Sequence, residues 1–156
     1  MKLKLYEGKD KLELHDMLIE FSLEVFKSGT VDIDNFVSRH THIYLAIISG
    51  EVVGFTSFLI NDYFGLREPT VGNTYLYVKP DYRRSKALHL MSIQAGLVAR
   101  DLSMPLEHYV ASKASKLLTR RLKGKEIYTS FEYSVEECMR VINGLKDKVR
   151  IEEWQD

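Results

Sequence analysis

Between residues 11 and 26 the apolar positions Leu14, Met17, Leu18, Phe21 and Val25 recur three and four apart, which puts them on one stripe of a helix. Ser28-Gly29 is the stop signal after it. A shorter helix is expected over 33–39, with Asp32 or Asp34 as its N-cap. Residues 2–6 alternate and predict a first strand, while the continuous apolar run 43–48 predicts a strand covered on both faces. Ser49-Gly50 is a turn, and with 51–60 it completes a hairpin. Residues 61–73 hold two glycines and a proline and are expected to be a loop. A strand over 74–78 then ends at Lys79-Pro80. A helix is predicted over 86–102, with Ala87, Leu90, Met91, Ala95 and Val98 on one stripe. A strand over 107–111, a helix over 114–122, a strand over 127–133 and a helix over 135–145 follow. Helices and strands in this order predict an α/β fold of the α+β type, built on a mixed sheet flanked by helices.

No repeat, low-complexity tract or linker interrupts the 156 residues, so one domain is expected, with a core over 2–133 and a helix and tail over 134–156. The single cysteine, Cys138, cannot form an internal disulfide and points to a reducing, cytoplasmic setting. The longest apolar run is far below the roughly 20 residues of a membrane span, and the start lacks the apolar stretch of a secretion signal. The equal numbers of acidic and basic residues, 22 of each, conceal a segregation. Residues 1–78 carry 7 basic and 11 acidic groups, net −4; residues 79–125 carry 11 and 3, net +8; residues 126–156 carry 4 and 8, net −4. A cationic block in a neutral chain suggests an anion site, although lysines at helical spacing ordinarily face water.

The stretch 74–91, TYLYVKPDYRRSKALHLM, gives that block its chemistry. A strand ends, a proline stops the ladder, and an Arg/Ser/Lys turn feeds a helix N-terminus, where unpaired N–H groups and the helix dipole favour a phosphate. Here the chain resembles the GNAT superfamily of N-acetyltransferases. Leu76-Tyr77-Val78-Lys79-Pro80-Asp81-Tyr82-Arg83 is similar to the family's fourth strand, and Arg83-Arg84-Ser85-Lys86-Ala87-Leu88 to its pyrophosphate loop, with Lys86 and Leu88 standing where the family has glycines. The R-x-S-K-A form looks like that of divergent members, many of them phage-encoded, which would make the setting a host cytoplasm. AIISGEVVGFTSF and KLLTRRLKGK extend the resemblance, and the element order agrees over about 2–133.

The resemblance implies a mostly antiparallel sheet splayed at its fourth and fifth strands, with acetyl-CoA as co-substrate. Main-chain groups of Leu76, Tyr77 and Val78 would pair with the pantetheine arm. The N–H groups of Arg83, Arg84, Ser85, Lys86, Ala87 and Leu88 would hold the phosphates, with the Arg83, Arg84 and Lys86 side chains adding charge. The acceptor would be a primary amine, either a small molecule or a protein lysine or N-terminus. A homodimer is left open, and neither a membrane nor a metal is expected.

Acetyl transfer to an amine needs a neutral nucleophile, a stabilised oxyanion and a proton for the thiolate. The family's glutamate base maps to Asn73 or Thr74, and its tyrosine acid to the region of Leu118, Thr119 and Arg120, so neither expected group is present. Tyr109, His108 and Tyr128 are the substitutes, with Ser112 and Glu68 behind them. Each also has an ordinary role: the tyrosines as half-buried strand residues, His108 as a surface histidine, Glu68 as a solvated partner of Arg67. His40-x-His42 lacks a third ligand at metal spacing and reads as a strand-entry pair. Two other readings stand beside the enzyme. One is a catalytically degenerate binding module of the same fold; the other is a modifier that docks a nucleic acid or other polyanion on its basic face.

Overall fold

The sixteen residues of α1 (Lys11–Phe26) bury Leu14, Met17 and Leu18 on the predicted stripe. Each such side chain contributes about 1.5–3 kcal/mol. The helix ends at Phe26 as read, but the residue that stops it differs. Lys27 itself takes the left-handed conformation, φ 57°, and its Nζ donates to the Glu24 carbonyl at 2.8 Å, so a lysine does the capping assigned to Gly29. Asp32 caps α2 (Ile33–Arg39) by accepting from the Asn35 N–H at 3.0 Å, while Asp34 reaches back to Lys11 at 2.7 Å.

The computed structural model describes residues 1–108, all of them within the first of two units into which the chain divides after Lys116. The expected elements beyond 108 lie outside the described residues. Five strands, β1 (Lys2–Leu5), β2 (His42–Ile48), β3 (Glu51–Asn61), β4 (Thr70–Val78) and β5 (Leu106–His108), lie in sequence order across one sheet. The first four pair antiparallel, and β5 joins β4 parallel after the crossover through α3 (Ala87–Asp101). The β2–β3 turn is the predicted one, with Ser49 at φ 52° and Gly50 at φ 88°.

The sheet is covered on both faces. Ile43, Leu45, Phe55 and Tyr77 pack against α1 and α2, where Phe21 meets the rings of Phe55, Tyr75 and Tyr77 edge-on at 5.3 to 5.8 Å. Ala46, Val53, Val78, Phe58 and Val71 pack against the Ala87, Met91, Ala95 and Val98 stripe of α3.

The loop expected over 61–73 is shorter than predicted. β3 runs through Asn61 and β4 begins at Thr70, so Thr70, Val71, Gly72 and Asn73 are buried strand residues. Their mixed composition carries no period; pairing with β3 on one side and β5 on the other makes them a strand. Among the described residues, no helix is long and apolar enough to cross a membrane.

Candidate functional site

The C-terminal half of β4 has two distinctive features. Ser57 pairs with Tyr75 and Phe58 with Asn73, so Thr74 is an extra residue, a bulge that takes its peptide groups out of the ladder. Beyond it Leu76, Tyr77 and Val78 pair with β3, while β5 pairs with β4 over Val71, Gly72 and Asn73. Among the described residues, the far edge of Leu76 to Val78 has no strand partner. The expected divergence of β4 and β5 beyond His108 falls outside the described residues.

Past β4, Lys79 extends the sheet through its N–H to the Val53 carbonyl at 2.9 Å. Pro80, Asp81 and Tyr82 form a single 3-10 turn that leads into α3. Three N–H groups of the following loop are used internally: Arg83 donates to the Pro80 carbonyl, Ser85 to the Tyr82 carbonyl, and Ala87 to the Ser85 hydroxyl at 3.1 Å. The N–H groups of Arg84, Lys86, Leu88 and His89 have no acceptor among the described residues, and the last two belong to the first turn of the helix. No residue from 79 to 89 needs a positive φ, and Lys86 sits at φ −76°. Lysine and leucine in place of the family's glycines therefore cost no backbone strain here.

The cations divide by partner. Arg83 folds back, donating Nε to the Val78 carbonyl at 3.0 Å and its terminal nitrogen to Glu24 of α1 at 2.5–2.6 Å, with the Tyr77 ring 5.9 Å away. Lys79 is held by Glu51 at 3.1 Å and Glu20 at 3.5 Å. Burial alone would depress its ammonium, but these two carboxylates hold its pKa above the ordinary value. Arg84 and Lys86 are exposed and have no acidic partner among the described residues. The turn thus presents two unneutralised cations and four available N–H groups, a donor set suited to a phosphate. Ala87, fully buried under the turn, keeps the helix start close to the sheet.

Of the acid–base candidates, His108 and Glu68 fall among the described residues. His108 occupies the register position opposite Asn73, one residue from the bulge, while Tyr109, Ser112 and Tyr128 lie outside the described residues. Glu68 is an exposed loop residue, and Arg67 does not pair with it; it reaches Glu107 on β5 at 2.9 Å. Asn73 is no base. Its amide is fully buried and donates to Thr56 Oγ1 at 2.8 Å and the Ser57 carbonyl at 3.2 Å, fixing the bulge from the α3 side. Glu107 went unremarked in the sequence because a charged residue opening a short strand has no local signal. A cavity of about 680 Å³ lies between α1 and the β2–β3 hairpin; of its five carboxylates, Asp10, Glu20 and Glu51 are paired with Lys4 and Lys79, while Glu13 and Asp16 make no ion pair among the described residues.

His40 ends α2 against the Phe36 ring, centroids 4.2 Å apart, and its Nδ1 lies 2.7 Å from the Phe36 carbonyl. A carbonyl accepts only, so Nδ1 carries the hydrogen, and Nε2 is buried without a partner among the described residues. Burial lowers the imidazole pKa below 6.5, against the opposing pull of the Phe36 bond. A depressed histidine gives its full stability above the unfolded value and loses it as the pH falls below about 6.5, levelling off beneath the folded pKa. The Tm drop between about pH 7.5 and 5.5 should therefore be larger in the wild type than in His40→Phe, and equal drops would refute the burial effect.

The sequence profile described as the acetyltransferase (GNAT) family matches residues 11–89, just over half of the chain. No curated protein sequence matches it significantly. Among solved structures, the chain is similar to an aminoglycoside 6'-N-acetyltransferase from Acinetobacter haemolyticus, with TM-score 0.63, 17% identity, and coverage of 86% of this chain and 97% of that one. A ribosomal-protein-alanine N-acetyltransferase from Brucella melitensis matches with TM-score 0.66 at 18% identity, over 85% and 97%. A predicted acetyltransferase from Clostridium acetobutylicum, solved with acetyl-CoA, matches with TM-score 0.67 at 14% identity, over 87% and 97%.

Proposed function

The chain belongs to the GNAT acetyltransferase family, and from that premise we propose that it moves an acetyl group from acetyl-CoA to a primary amine. The observation that carries this reading is the donor set at the start of α3, set directly beyond the edge of β4 that has no strand partner among the described residues. The co-substrate supplies an activated thioester. Leu76, Tyr77 and Val78 offer a strand edge for its amide-bearing arm, and Arg84, Lys86, Leu88 and His89 offer N–H groups for its phosphates. The side chains of Arg84 and Lys86 neutralise those phosphates, while Arg83, tied to Glu24 and Val78, holds the turn against α1 and β4.

The bulge at Thr74 supplies peptide groups for a developing negative charge on the acyl oxygen, since they are not used by the ladder. His108, at the register position beside that bulge, is the first choice among His108, Tyr109 and Tyr128 for moving a proton to or from the amine. The aminoglycoside and ribosomal-protein N-acetyltransferases among the similar structures support an amine as acceptor.

The test is a thermal-shift titration with acetyl-CoA, followed by CoA release over a panel of amines and basic peptides. A raised Tm together with amine-dependent CoA release is the expected result. Stabilisation without turnover would leave a binding module of the same fold. Salt-sensitive binding of oligonucleotides without response to acetyl-CoA would replace both by the polyanion reading.

A further inference from the structure

Glu107, on β5, is 6% exposed, and its two carboxylate oxygens are treated differently. Oε2 accepts from the amide of Asn61, the last residue of β3, at 3.1 Å and from the hydroxyl of Tyr63 in the turn that follows. The same two side chains also meet Thr70 Oγ1, so this half of the carboxylate is fixed by the sheet. Among the described residues Oε1 has no hydrogen bond of good geometry, and the Arg67 guanidinium faces it at 2.9 Å. That guanidinium also lies over the Tyr63 ring, 4.4 Å from its centroid. A buried anionic oxygen and an aromatic face thus form a two-walled cage for a cation.

The occupant comes from an exposed surface loop, turned where the Asp62 carboxylate accepts from the Phe64 N–H at 3.1 Å. Arg67 is 40% exposed along its side chain. Before it, Tyr63 and Phe64 both have positive φ, 51° and 53°, in a region non-glycine residues avoid. Phe64 and Leu66 are 94% and 88% exposed, so the loop tip buries no apolar surface of its own. A core carboxylate is thereby neutralised by a residue on a strained, solvent-facing segment.

We propose that the Glu107–Tyr63 cage is the binding position for a cationic group of the acceptor, and that Arg67 is an internal stand-in which leaves when the acceptor arrives. This rests on the acetyl-transfer reading above. Glu107 pairs with Gly72, two residues before the bulge at Thr74, or about 7 Å along the strand. The amine that attacks must be neutral. The cage therefore takes a second, charged amino group a few bonds from the reacting nitrogen, and the acceptor class is a di- or polyamine or a lysine beside another basic residue.

The experiment compares wild type, Arg67→Ala and Glu107→Gln. CoA release is measured with spermidine against butylamine, and with a Lys-Lys peptide against a Lys-Ala peptide; spermidine binding is measured by calorimetry without acetyl-CoA. Wild type should favour the doubly charged member of each pair by tenfold or more in kcat/KM, and the stronger of the two preferences identifies a free polyamine or a protein segment. Glu107→Gln should abolish the preference while leaving the acetyl-CoA Kd unchanged. Arg67→Ala should lower the spermidine KM severalfold and have a reduced Tm that spermidine restores, because it leaves the carboxylate unpaired. If Arg67 merely anchors the loop, spermidine will not restore that Tm and KM will rise, which overturns the proposal. Equal rates for spermidine and butylamine in the wild type also overturn it. Should Glu107→Gln fail to fold, Tyr63→Leu removes the aromatic wall and must weaken spermidine binding severalfold. If acetyl-CoA neither binds nor turns over, the acetyl-transfer reading fails by itself, and calorimetry with spermidine still decides the cage.

Discussion

Replacing Gly54 by alanine should destabilise the protein by about 3 kcal/mol or more, the upper part of the range for overpacking a core. In a chain of this size that is a Tm lower by about 6–12 °C. Gly54 lies in β3 between Ala46 and Val78, on the face covered by α3. A Cβ there would come within 2.3 Å of the Tyr77 carbonyl oxygen, 3.0 Å of Met91 Cε and 3.1 Å of Val78 Cα. Two of these neighbours are backbone and cannot step aside. The strand that must yield is the one whose far edge is proposed to hold the pantetheine arm, so the folded fraction should also bind acetyl-CoA less tightly. Adding Met91→Ala relieves one contact of the three and should not restore the Tm. A double variant as stable as wild type would show that side-chain crowding, not backbone approach, makes glycine necessary.

Removing both Arg84 and Lys86 as alanines should weaken acetyl-CoA binding by about 2–3 kcal/mol, or roughly 30- to 150-fold in Kd, at the scale of two charge-assisted hydrogen bonds. Both side chains are exposed and unpaired among the described residues, so the Tm without ligand should hardly change. Arg83→Ala makes the contrast. It breaks the link to Glu24 and to the Val78 carbonyl, and should lower the Tm modestly while affecting acetyl-CoA through the shape of the turn. Isothermal titration of acetyl-CoA against the three proteins separates these roles. An unchanged Kd in the Arg84/Lys86 variant would remove the assignment of the turn to phosphate.

Sequence and structure agree where an element carries its own period. Most of the α1 and α3 stripes, the Ser49-Gly50 turn and the stop of β4 before Pro80 stand as read, because helical and strand geometry repeats locally and turn residues act within three or four positions; Val25, at the end of the α1 stripe, is 43% exposed, and Leu90 of the α3 stripe is only half-buried. Where an element draws its stability from neighbours, the reading fell short. Residues 70–73 were expected in a loop; they form a strand because β3 and β5 flank them and Val71 is buried against α3. Lys27 rather than Gly29 stops α1: it takes the left-handed conformation, its N–H donates to the Ser22 carbonyl and its Nζ to the Glu24 carbonyl.

The site divides in the same way. The clustering of cations after β4 was legible, since Arg83, Arg84 and Lys86 are neighbours in the chain. Which of them remain available was not, because the partner of Arg83 is Glu24, 59 positions away on α1. Glu107 shows the same limit more strongly. By sequence it is one acidic residue opening the strand expected over 107–111; in the fold it meets Asn61, Tyr63 and Arg67 from a segment some forty positions earlier. As far as β5, the sequence by itself determined most of the elements, their order and the cationic turn, for these follow from backbone geometry and charge close along the chain. The tertiary structure alone decided which charges are neutralised and which carboxylate is buried, for burial and pairing are properties of surfaces brought together from distant positions.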